Sequence, residues 1–183
     1  MYFIIFGFII FLGVHLISLS KLRRGKLLER IGEKKYKLIY SLLAFIGLSL
    51  MLFARFNSGE VHKTINFSFF KNIHIIMLIA NILIISAYIP RNHFKKWFKH
   101  PMLLGILIWS FSHIMVNQHL NHTAFFTSLF LFSLIMIFGI LKRDGLIKTQ
   151  AKVKNSIICL CAGIVVHGIL FYSHAYIAGV NII

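Results

Sequence analysis

Acidic side chains are nearly missing from this chain: four Asp and Glu stand against twenty Lys and Arg in 183 residues, for a formal net charge of +16. None of the four lies inside a long apolar run, which argues against proton relays and cation sites built on buried carboxylates. In a soluble protein this surplus of positive charge would suggest a nucleic-acid partner. Here 58% of the residues are hydrophobic and the basic residues sit between apolar runs, so no nucleic acid is expected. The charge reads instead as membrane topology, with anionic lipid headgroups at the basic loops as a second consequence. Cysteine is scarce too: Cys159 and Cys161 are two apart in an apolar run, where a helix points them to nearly opposite sides and no bridge can form. A basic segment ahead of the first apolar run is lacking, so that run is expected to stay attached as a span rather than be cleaved as a signal peptide.

What is present in abundance is long apolar sequence. A bilayer core of about 30 Å takes roughly 20 helical residues to cross. Six runs approach that length: Tyr2 to Ser20, Leu38 to Phe56, Ile73 to Ile89, Met102 to Val116, Ala124 to Leu141 and Ile157 to Ile177. They predict an all-α bundle of six transmembrane helices forming one domain over residues 1–183. Seventeen of the twenty basic residues fall in three alternate loops: Lys21 to Lys37 with eight, Arg91 to Lys99 with four and Lys142 to Lys154 with five. The other three, Arg55, Lys63 and Lys71, flank or occupy the second loop. The positive-inside rule then places those three loops in the cytoplasm and both termini on the periplasmic or extracellular side. The first and third of the loops between spans, with Leu22, Leu27, Leu28 and Ile31 or with Phe94, Trp97 and Phe98 among the charges, read as ordinary solvated loops or as short interfacial segments.

Histidine is the ionisable and ligating residue left within the runs. His74, Asn81 and Tyr88 recur every seven residues, as do His167 and His174 beside Gly163, and Gly105, Trp109, His113 and Asn117 recur every four. Each set forms a polar stripe that should face a bundle interior, because an imidazole facing lipid is costly. The fifth run, rich in Phe, Leu and Ile and without histidine, is expected at the periphery. Depth counted from the inner face pairs His113 with His167 near the midplane and His74 with His174 near the outer interface, with His15 in the inner half and His100 at the inner boundary. Two neutral histidines on facing helices at one depth are what a bis-imidazole haem needs. Interhelical hydrogen bonding is the plainer role for the same residues. His119 and His122 are read as solvated, and no close set of cysteine, histidine and carboxylate offers a zinc site.

The run HPMLLGILIWSFSHIMVNQHL, His100 to Leu120, resembles the signature of the NnrU family of small bacterial membrane proteins. FLGVHL at Phe11 to Leu16, YKLIYSLLAFIGL at Tyr36 to Leu48 and HAYIAGV at His174 to Val180 resemble the same family in the expected order. The chain departs from it at Asn117 and Gln118, where the family usually reads Asn-Gly. The resemblance implies a multi-span protein of the bacterial inner membrane associated with nitrite and nitric oxide reduction. The family is similar in turn to 15-cis-zeta-carotene isomerase, a haem b protein that isomerises a polyene double bond. Carried over residue by residue, this implies haem b as cofactor, with His15, His74, His100, His113 and His174 at the cofactor-binding positions and His113 and His174 as candidate iron ligands. His167 matches no family position.

Two functions therefore compete. One is a haem-b membrane protein serving nitrogen-oxide reduction or isomerisation of a lipophilic polyene. The other is a non-catalytic assembly or stability factor for a partner membrane enzyme. A membrane methyltransferase, suggested by the His100-Pro101 pair ahead of a helix, lacks the polar and acidic residues that cofactor would need.

Overall fold

The computed structural model describes residues 1–56, 73–117, 119–144 and 150–179; Lys63, Lys71 and Gln118, on which part of the sequence reading rests, lie outside the described residues. Among the described residues the fold is all-α, with helices α1 (Tyr2–Leu19), α2 (Lys21–Ile31), α3 (Glu33–Phe56), α4 (Ile73–Ser86), α5 (His93–Phe98), α6 (Pro101–Val116), α7 (Leu120–Asp144) and α8 (Val153–Ala178). Four of them, α1, α3, α7 and α8, are long and apolar enough to cross a membrane. Their 18 to 26 residues reach about 27 to 39 Å. The expected third and fourth spans appear as α4, of 14 residues, and α6, of 16, which reach about 21 and 24 Å and fall short of a hydrocarbon core by themselves. Phe45, Phe138 and Val165 are among the many large apolar side chains left more than half exposed on the long helices. Apolar surface on that scale needs lipid rather than water around it, and the protein is a membrane protein.

Two of the expected basic loops contain helices of their own. Ser20, in an extended conformation after α1, accepts from Arg23 N through its hydroxyl at 3.3 Å and so starts α2. Gly32, with φ of 79°, ends α2 in a conformation that side-chain-bearing residues avoid, and α3 begins at the next residue. That start lies five residues earlier than the apolar run implied. The charged turn is helix-compatible because Glu33 sits at the positive end of the helix dipole and pairs with Lys37 at 2.6 Å. In the other loop Asn92, fully buried, caps α5 by accepting from Lys95 N at 2.8 Å and donates to the carbonyls of Ser86 and Ile89.

The described chain falls into two compact units. The first comprises Met1–Asn66 and His113–Gly145. In it α1 crosses α3 where Gly7 and Gly47 meet backbone to backbone, and α7 lies against both. The expectation that this last helix would be peripheral is corrected: Phe125, Phe126, Ser128, Leu129, Phe132, Ser133, Met136 and Ile140 of α7 are all buried. The lack of histidine in the apolar run Ala124 to Leu141 did not keep it at the periphery. Ser128, Ser133 and Gly139 make α7 narrow enough to pack centrally, with Leu19 filling the space above Gly139. Ser133 Oγ is fully buried without a hydrogen-bond partner. Ser133→Ala is accordingly expected to stabilise the protein by about 1 kcal/mol in a detergent unfolding titration, since it removes an unsatisfied hydroxyl. An unchanged or lowered stability would contradict this.

The second unit comprises Phe67–Ser112 and Leu146–Ile183. Its main packing is α4 against α8, with Gly163 of α8 set against Ile82 and Gly105 of α6 against Ala80 and Ile84. On α8 Cys159 is buried and Cys161 exposed, both as free thiols, in keeping with their spacing. The α5 end is fastened to the start of α8: Lys152 N donates to Arg91 O at 2.7 Å, Asn155 Nδ2 to Pro90 O at 2.6 Å and His93 N to Ser156 Oγ at 3.0 Å.

Candidate functional site

Histidines gather at three places, each inside one unit. On α1, His15 donates its Nδ1 proton to the Phe11 carbonyl at 2.6 Å, the i−4 position of its own helix. Three rings surround it: Phe11 at 4.5 Å, Phe132 of α7 at 4.9 Å and Tyr40 of α3 at 5.2 Å between centroids. Because a carbonyl can only accept, the proton is fixed on Nδ1 and the lone pair on Nε2. That is the tautomer and the orienting bond typical of a ligating imidazole.

The second place is where α3, the end of α6 and the start of α7 meet in the first unit. His113 stacks on the buried ring of Phe126 at 4.4 Å and 25°. Asn117 bridges two helices there, donating from Nδ2 to the His113 carbonyl at 2.6 Å and accepting at Oδ1 from His122 Nδ1 at 3.1 Å. His122 is therefore engaged rather than merely solvated, which corrects the expectation for it; the His119 ring lies 5.3 Å away. Arg55 joins this group from the last turn of α3. Its guanidinium carbon is 5.2 Å from the Phe56 ring, 5.9 Å from Phe125 and 5.6 Å from Phe126. Its Nε is buried without a hydrogen-bond partner, and among the described residues no carboxylate forms an ion pair with it. A permanent cation held among aromatic rings attracts an anionic group. Sequence reasoning passed over Arg55 by treating it as a flanking charge. The available signal was a lone arginine inside the apolar run Leu38 to Phe56.

In the second unit Asn81 of α4, buried, donates to His167 Nδ1 of α8 at 3.1 Å, which puts that imidazole's proton on Nε2. Phe171 receives the edge of His74 at 5.0 Å and lies 6.3 Å from His167. The seven-residue stripe on α4 is thus interior only at its middle. His74 stands in the first turn and is exposed, and Tyr88 lies past the end of α4 and is 74% exposed. His174, one turn beyond Phe171 on α8, is half-buried. His100 sits between α5 and α6, its carbonyl accepting from Leu104 N at 3.3 Å as α6 begins at Pro101.

Among the described residues no group of three or more His, Cys, Asp and Glu side chains could hold a bare metal ion. The chemistry on offer is that of one or two imidazoles with a cation nearby, set in apolar helices, and a family model described as NnrU protein matches residues 3–182. The chain belongs to the NnrU family. Neither a curated protein nor a solved structure matches it. In this NnrU chain His15 and His113 stand in tight aromatic surroundings, while His167 is held by the buried Asn81.

Proposed function

We propose that this NnrU protein is a six-span protein of the bacterial inner membrane that binds haem b and serves nitrogen-oxide reduction or isomerisation of a lipophilic polyene. In this reading α4 and α6 complete their crossings with flanking residues, and the three basic segments face the cytoplasm. The observation that carries the cofactor assignment is the sharing of the Phe126 ring by His113 and Arg55. Haem b combines an iron that takes imidazole with two carboxylates that need a cation, and this corner of the first unit offers both in an apolar setting. His113 would hold the iron and Arg55 a propionate; His15, with its Nε2 lone pair set free by the Phe11 carbonyl, and the family-matched His174, His74 and His100 are the other ligand candidates. When bound, haem b would supply a redox-active iron and a Lewis acid toward a double bond. The stack on Phe126 would fix the plane of the His113 imidazole and cover one of its faces, and Arg55 would supply the counter-charge.

The test is a spectrum of the detergent-purified protein, produced with a haem precursor, in oxidised and dithionite-reduced states. A b-type spectrum at one haem per chain is expected. A colourless protein would overturn the reading and leave the non-catalytic assembly factor for a membrane enzyme, which the Asn81–His167 bond favours as an example of histidine used only for packing.

A further inference from the structure

A cavity of about 290 Å³ opens at the end of the first unit opposite to Arg55, lined by Ser18 at the end of α1, by Lys21, Arg24, Gly25 and Leu28 of α2, and by Arg143 and Asp144 at the end of α7. The α2 residues follow the i, i+3, i+4, i+7 spacing of one helix face, so a single face of this short helix forms one wall. The opposite wall is rigid. Arg143 donates from Nη1 to the Ser18 carbonyl at 2.9 Å and from Nε to Asp144 Oδ1 at 2.9 Å, tying α7 to α1. Asp144 is thereby engaged by Arg143, and Lys21 reaches the same carboxylate only at 3.9 Å. Three cations against one acid leave the cavity positive. Gly25 adds open space, since a Cβ built there meets nothing within 4 Å.

Position decides what such a cavity can take. It lies where two membrane-crossing helices, α1 and α7, end, and α2 exposes Leu22 at 69% alongside its charges, so the site sits at the depth of lipid headgroups. We infer that this cavity seats the phosphodiester headgroup of an anionic phospholipid, with Lys21 and Arg24 on the phosphate, Gly25 admitting the glycerol end and the acyl chains running along α1 and α7. The volume of about 290 Å³ is far more than a single water needs and leaves room for a phosphoglycerol group. This goes beyond general attraction of basic loops to a charged surface, because it requires a shaped site on one face of α2. It is independent of whether haem is bound.

Native mass spectrometry of the full chain, titrated with phosphatidylglycerol or phosphatidylcholine, tests it. The wild type should retain phosphatidylglycerol preferentially, and Lys21→Ala with Arg24→Ala should weaken that retention roughly 25-fold, about fivefold for each cation. Gly25→Leu keeps every charge and suits a helix, yet should weaken retention too by filling the cavity. Lys34→Ala with Lys35→Ala removes equal charge from the exposed start of α3 and should leave retention unchanged. An equal loss in that control pair, or no preference between the two lipids, would overturn the site. Displacement of the lipid by millimolar inorganic phosphate would also overturn it, by showing a site for the free anion.

Discussion

Gly47→Val is expected to cost about 3 kcal/mol of stability and to lower the yield of folded protein sharply. A Cβ at Gly47 would stand 2.7 Å from Phe11 N and 2.8 Å from Gly7 O, and one at Gly7 would stand 2.6 Å from Gly47 O. Both nearest neighbours are backbone, which cannot rotate aside, so α1 and α3 must separate along their length. Ile4, Val14, Met51 and Ala54, all buried about this crossing, would lose packing together. Unfolding in a mixed-micelle titration of the anionic detergent SDS measures the effect. The paired substitution of Gly7 and Gly47 should cost much less than the sum of the two singles, because once the helices are apart the second side chain meets little. A wild-type transition for Gly47→Val would mean that α1 and α3 do not cross here.

The second large effect is expected at Gly105, in the other unit. Gly105→Val would set a Cβ 2.7 Å from Ala80 O and 2.8 Å from Ile84 Cγ1, pressing α6 away from α4. About 2 kcal/mol is expected, somewhat less than at Gly47, because the Ile84 side chain can change rotamer while the Ala80 carbonyl cannot. Gly139→Ala provides the contrast within one experiment. Its nearest contacts are the terminal methyls of Leu19, at the flexible end of a side chain, with Cγ at 3.4 Å, so it should be nearly neutral. The order Gly47, Gly105, Gly139 in cost is the checkable content; a Gly139 variant as damaging as the Gly47 variant would contradict it.

How far the sequence reveals this molecule differs from element to element. The apolar runs that became α1, α3, α7 and α8 were legible because spans must be long and uncharged. The beginning of α3 was not, since EKKYK is polar and hydropathy cannot see a helix stabilised by its dipole and by Glu33 with Lys37. Hydropathy was equally blind to α2 and α5, whose starts depend on the capping side chains of Ser20 and Asn92. Central packing of α7 followed from small residues between phenylalanines, a signal that the search for histidines overlooked. At the candidate site His15 and His113 were evident as polar residues inside apolar runs. Their preparation was not, because the Phe11 carbonyl that sets the His15 tautomer and the ring of Phe126 under His113 are matters of three-dimensional contact. Arg55 was in plain view but was counted as topology. Its meaning lies in the rings of Phe56, Phe125 and Phe126 around it, which only three-dimensional contact discloses.

Haem ligation at the His113 and Arg55 corner is tested most directly by cavity complementation. His113→Gly, purified beside the wild type, is expected to lose the b-type spectrum and to regain it when free imidazole is added, while Arg55→Leu should bind haem at least tenfold more weakly with an unshifted spectrum, as about 1.4 kcal/mol of charge pairing requires. A His113→Gly protein whose spectrum equals that of the wild type, with no response to imidazole, would contradict the account.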